Sequence, residues 1–208
     1  MAPTRKSRLW AACSNATVVR FLTGYDVAST DGYVVDVGPE LVLILTIDDR
    51  IRFDGFECHL ISDIKRLQVP APCEDFVVAA LRRRGESVDG PPKIDLGSVD
   101  SVLFSASKLF PLVVIEIGHK KRDVCFVGRV RDVSKGRLLL HEIGPDAVWE
   151  KKTSRFWLKD ITRVTFGSGY AEALYLVGGE PGKIKQSKDR KKSEGKNKKV
   201  TSRKGNAQ

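Results

Sequence analysis

The chain has little of what most catalytic and metal sites are made from. Four cysteines, Cys13, Cys58, Cys73 and Cys125, are scattered with no C-x-x-C spacing and no neighbouring His pair, which argues against both a zinc ribbon and a disulfide scaffold. There are three histidines and one methionine in 208 residues. No Gly-rich phosphate loop follows a strand pattern, and no helix pattern carries His or carboxylate pairs at i, i+4 spacing. The longest apolar stretch, Leu41 to Ile47 counting Thr46, is far short of a membrane span. Arg5, Lys6 and Arg8 ahead of Leu9 to Cys13 faintly imitate a lipoprotein signal, but Ser14 and Asn15 end the apolar run too early. These absences point to a cytoplasmic protein that binds no cofactor and no metal and is not an enzyme.

Charge is present, and it is unevenly spread. Of the net +10, the last 29 residues, from Glu180, contribute eleven Lys and Arg against three acids; the first twenty residues contribute four basic residues and no acid. Residues 21–179 are nearly neutral, with 21 basic and 23 acidic residues. A neutral body with basic ends supports non-specific attraction to phosphate. The stretch after Gly178 has no aromatic residue and few apolar ones, so 178–208 is expected to be a disordered basic tail.

The body repeats itself. At an offset of 96 residues Gly32, Val34, Asp36, Val37, Leu43 and Ile47 match Gly128, Val130, Asp132, Val133, Leu139 and Ile143. One inserted residue later, Asp63-Ile64-x-Arg66 matches Asp160-Ile161-x-Arg163. Each copy reads as five short strands. Alternation in Gly128 to Val133 marks a half-buried strand, and Val37-Gly38-Pro39-Glu40 and Val133-Ser134-Lys135-Gly136 have turn chemistry. Five short strands in about 55 residues imply a small barrel, because closure removes exposed edges. Between the copies, Glu74 and Asp75 open a helix that ends at Gly85, Pro91-Pro92 lie in a linker, and a second helix spans 98–110 before Pro111.

A helix, then Gly-x-Val-x-Asp-Val, a turn, a Leu-rich strand and Asp-Ile-x-Arg resembles the Sm-like and SH3-like small barrels. The body as a whole resembles uncharacterised bacterial proteins built from two such units. The resemblance implies a mainly β chain with helices (α+β), in which two tandem five-stranded barrels are joined by a helical connector. The expected organisation is a basic arm at 1–16, a first barrel at 17–69, a connector at 70–111, a second barrel at 112–177 and the tail. Leu43, Ile47, Ile64, Leu139, Ile143 and Ile161 are the expected core. The loops of Sm-type RNA binders carry an Asn and an Arg-Gly pair that neither copy has, which speaks against uridine-type recognition.

What remains is a binding reading. Lys151, Lys152 and Arg155 beside Trp149 combine cations with an aromatic ring, the pairing that holds single-stranded nucleic acid. Trp157 matches Leu60 and is expected in the core. Lys183, Lys185, Lys188, Arg190, Lys191 and Lys192 of the tail are the other expected phosphate contacts. Cys58 and His59 are neighbours on a strand and point to opposite faces, so they read as a buried thiol and an edge histidine. Asp36, Asp63, Asp132 and Asp160 read as turn formers, and Lys120, Lys121 and Arg122 as a hairpin tip. The expected function is non-enzymatic binding of RNA or another nucleic acid, mainly through the tail. The alternatives are a protein-interaction factor using barrel edges, and an enzyme of unrecognised type.

Overall fold

The structure, a computed structural model, describes residues 3–88, 90–122 and 124–182. The elements run twice through the same order. The first run is α1 (Arg5–Ser14), β1 (Val18–Thr23), β2 (Thr30–Val37), β3 (Leu41–Ile47), β4 (Phe53–Leu60), a 3-10 turn (Ile61–Asp63), β5 (Ile64–Gln68) and α2 (Glu74–Arg83). The second is α3 (Val99–Leu109), β6 (Val113–Glu116), β7 (Cys125–Ser134), β8 (Arg137–Glu142), β9 (Ser154–Trp157), a 3-10 turn (Leu158–Asp160), β10 (Arg163–Phe166) and α4 (Gly169–Gly178). The chain is mainly β with four helices, of α+β class. No helix among the described residues is long and apolar enough to cross a membrane.

All ten strands join one antiparallel sheet in the order β5-β1-β2-β3-β4-β10-β6-β7-β8-β9. Its hydrogen bonds do not close two separate barrels. β4 pairs with β10 instead, with Phe56 opposite Phe166 and Cys58 opposite Val164, so the two runs are welded edge to edge. β5 and β9 remain as the free edges. Register irregularities recur at equivalent places, between Val34 and Asp36 and between Val130 and Asp132, and are followed by Asp36 opposite Leu43 and Asp132 opposite Leu139.

Each half of the sheet is strongly curled. The rings of Phe21 on β1 and His59 on β4 are 5.0 Å apart, although in a flat sheet those strands would lie about 14 Å apart. Phe126 on β7 and Phe156 on β9 meet at 4.7 Å across the intervening strand. The matched glycines permit this bend. A Cβ on Gly32 would strike the Leu45 carbonyl oxygen, and one on Gly128 would strike that of His141. Any side chain at either position would push the paired strands apart.

Helices cover the curled halves in the same way. α1 starts at Thr4, whose side chain accepts from Ser7 N–H, and buries Leu9 and Ala12 against Val19, Phe21, Val34 and Ile44. The N-terminal stretch expected as an arm therefore belongs to the core. α2 caps the outer face with Val77 and Leu81 against Val18, Tyr33 and Leu45. In the second half, α3 buries Val102, Leu103 and Ala106 in the largest cluster, which also takes Leu41, Leu43 and Cys58 from the first half. α4 has no counterpart in the sequence reading. It carries Ala171 and Leu174 against Leu112, Val114 and Ile143. Ile94 and Leu96 of the supposed linker are buried in the same cluster as α3.

Leu43, Ile47, Ile64, Ile143 and Ile161 are buried as expected, but Leu139 is only half-buried; Leu138 and Leu140 point inward instead. Leu138→Ala is expected to cost about 2–5 kcal/mol, the range for a fully buried leucine. Leu139→Ala should cost under about 1.5 kcal/mol, because part of that side chain stays in water in the folded state. Urea unfolding of the two variants side by side checks the strand register. Equal losses would show that the inward face has been misassigned.

Candidate nucleic-acid interface

The sequence candidates fall at three places: the weld between the halves, the free β9 edge, and the root of the tail. At the weld, Cys58 and His59 are both buried. Cys58 lies in the core, and burial pushes its thiol up to about 12, so it holds its proton at neutral pH. His59 is not at a solvent edge: it is 2% exposed, and its Nε2 lies 2.8 Å from a Glu57 oxygen. Glu57 and His59 are two apart on β4 and share a face, a pairing that the adjacent Cys58 hides in the sequence. Burial alone would raise the Glu57 carboxyl, but the His59 hydrogen bond and the charges of His59 and Arg163 hold it below its usual range.

Arg163 completes a cluster that spans both halves. Its guanidinium lies 3.5 Å from Glu57, 2.5 Å from Glu116 and 3.4 Å from Asp26. Burial on its own would lower the Arg163 pKa, and those acids raise it instead. A hollow of about 350 Å3 opens beside this cluster, with Tyr25, Asp26, Gly118, Lys121, Arg122 and Arg163 in its lining. Arg163 is already matched by three carboxylates, while Lys121 and Arg122 are exposed. Lys120 of the neighbouring hairpin is likewise spent on Asp160, at 2.6 Å.

The duplicated aspartates do local work. Asp36 accepts from the Val37 N–H at 2.7 Å, and Asp132 accepts from the Ser134 hydroxyl at 2.6 Å. One oxygen of Asp63 is buried without a partner. His141 is buried between Arg131, 3.0 Å from Nδ1, and the Glu150 carbonyl, 2.7 Å from Nε2. An arginine can only donate, so Nδ1 accepts and Nε2 carries the proton. Among the described residues no group of three or more His, Cys, Asp or Glu is placed to hold a metal ion.

The free edge is different. Strand pairing sets Asp132 opposite Leu139 and Leu139 opposite Arg155; two residues along, it sets Ser134 opposite Arg137 and Arg137 opposite Trp157. Directly paired residues share a face, and so do residues two apart on a strand. All six therefore lie on one face of the β7-β8-β9 end. Asp132, Ser134, Arg137, Leu139 and Arg155 line a shallow hollow of about 340 Å3 together with Lys135. The Arg137 guanidinium sits 4.0 Å from the centre of the Trp157 ring, and the Lys159 ammonium 5.9 Å from it.

The two tryptophans exchange the places expected from sequence. Trp157 is 45% exposed. Trp149 is half-buried against Ile143 and Leu174, and its indole N–H lies 3.2 Å from the carbonyl oxygens of both Gly178 and Gly179. Trp149 is thus committed to the fold and holds the root of the tail. Glu180 adds a second tether through its ion pair with Arg129. Lys151, Lys152 and Arg155 are exposed, as a phosphate contact requires. Lys183, Lys185, Lys188, Arg190, Lys191 and Lys192 lie outside the described residues. The chain matches no family model, no curated protein and no solved structure, so its site is read from its own geometry.

Proposed function

We propose that the chain is a non-enzymatic binding protein made of two fused Sm-like units, and that its ligand is RNA. Support for the two units comes from the repeated element order, the repeated irregularity at Asp36 and Asp132, and the curl of each half of the sheet. One observation carries the RNA reading. Lys135, Arg137, Lys151, Lys152, Arg155 and Lys159 gather at one end of the sheet, and none of them has an ion-pair partner among the described residues. Among the described residues, some other cations of the body, such as Arg20, Lys120 and Arg163, are matched by carboxylates, whereas Lys65, Arg66 and Arg82 to Arg84 are not. Unmatched cations at one end are an electrostatic footprint for phosphate.

The root of the tail, Gly178 and Gly179, is held by Trp149, and Lys151 and Lys152 follow Trp149 directly in the chain. Charge contacts to phosphate release counterions, so affinity falls steeply with salt and varies little with sequence. A chain ending at Gly182 is expected to lose most of its affinity for a mixed-sequence RNA while keeping the thermal midpoint of the full chain. Binding isotherms at two salt concentrations check this. Undiminished affinity would move the site wholly onto the sheet, and no binding by either chain would turn the reading toward a protein partner.

A further inference from the structure

The two halves use the same surface for different purposes, and the difference exposes a site. Arg137 and Leu139 on β8 occupy the positions of Leu41 and Leu43 on β3; Arg155 and Trp157 on β9 occupy those of Cys58 and Leu60 on β4. In the first half Leu41, Leu43 and Cys58 are 4%, 1% and 3% exposed, sealed by the second half in the shared core cluster. In the second half Arg137, Arg155 and Trp157 are exposed, and they stand where Leu41, Cys58 and Leu60 stand in the first. The position where one unit docks onto the next has become a cationic, aromatic face.

Resting on the RNA reading above, we propose that this face seats an unpaired base of a single-stranded RNA: the base stacks on the face of the Trp157 ring that Arg137 leaves open, and Arg137 and Arg155 pair with the flanking phosphates. Every base offers a π-face and every nucleotide a phosphate, which is the chemistry that a tryptophan beside two arginines recognises. A base in a duplex has both faces covered, so the seat selects single strands.

The charges on the page decide against the other occupants. A second copy repeating the internal weld would set β9 against β5, where Lys65 and Arg66 are exposed. By the weld's register that would set Arg155 opposite Leu67 and Trp157 opposite Lys65, so that Lys65 would join Arg155 and Arg137 on one face, where like charges repel. The chain's own tail is also strongly cationic. An anionic strand with exposed rings is the occupant that both the charge and the tryptophan fit.

The test uses the full chain with the substitutions Trp157→Ala and Trp157→Phe, and three probes: an unstructured RNA of about 12 nucleotides, its duplex, and inorganic polyphosphate. Trp157 is exposed, so neither variant should change the melting curve. Trp157→Ala should weaken binding of the single strand about tenfold, the scale of one lost base stack. Trp157→Phe should restore most of that loss. Affinity for duplex and for polyphosphate should stay within about twofold, because those probes offer charge alone. If Trp157→Ala binds the single strand as tightly as the unsubstituted chain, the base seat is overturned while the RNA reading stands. Equal losses on all three probes would also overturn it, as would a dimer in sedimentation that Trp157→Ala dissolves. Failure of the unsubstituted chain to bind any of the probes would overturn the RNA reading itself, and the seat with it.

Discussion

Exchange of Arg163 for methionine is expected to lower folding stability by about 3–5 kcal/mol, the range for removing one partner from a buried ion pair. The side chain is 18% exposed, and its guanidinium has three acids around it, Glu57, Glu116 and Asp26. Methionine fills much of the volume, so the loss is electrostatic: Glu57 is left in a nearly dry site with only His59 opposite it. Chemical unfolding gives the number, and a change under about 1 kcal/mol would show that water reaches the cluster freely. The matched residue, Arg66, provides the control. It sits exposed on the free β5 edge, where Arg66→Met should change stability by under about 0.5 kcal/mol.

The same cluster sets a pH dependence. The folded pKa of Glu57 is depressed, so its contribution is present above the unfolded carboxylate value of about 4.3 and is lost as pH falls through the folded value. Stability of the unsubstituted chain should therefore hold at pH 5 and fall away in more acidic buffer. Glu57→Gln should flatten part of that fall.

How far the sequence shows this arrangement depends on whether an interaction is local. The repeat is legible because Gly32, Asp36, Ile64 and their partners answer to backbone needs that both copies share: a close strand approach, a turn, a buried strand start. The weld is not legible. β4 pairs with β10 across a hundred residues, and nothing in either strand alone names its neighbour. The register of β8 is lost for another reason. Leu138, Leu139 and Leu140 are all apolar, so alternation cannot say which face turns inward, and a slip of one residue reverses the answer. Matching Trp157 to Leu60 misleads because the second half covers Leu60 while Trp157 stays 45% exposed. Equivalent positions in a repeat share a backbone, and their surroundings differ wherever one copy is terminal. The same match leaves Trp149 as the surface candidate, yet its partners Gly178 and Gly179 lie about thirty residues on.

The weld also predicts how the molecule comes apart. Phe166 on β10 is fully buried, 5.8 Å from Phe56 on β4 and 5.0 Å from Phe110 at the end of α3, measured between ring centres. It joins the two halves through one aromatic cluster, and Gly167 packs its backbone against the Phe110 ring with φ at +69°. Phe166→Ala should cost about 3–5 kcal/mol, because the cavity is walled by strands of both halves and cannot collapse without separating them. The loss should appear in a single unfolding transition. Leu41, Leu43 and Cys58 of the first half share one core cluster with Leu103, Ile115 and Leu140 of the second, so neither half can open without exposing the other. Calorimetry distinguishes the cases: one peak moved to lower temperature is the expected result. Two resolved peaks, one of them unmoved, would show that the halves fold independently and that the weld is only a contact between domains.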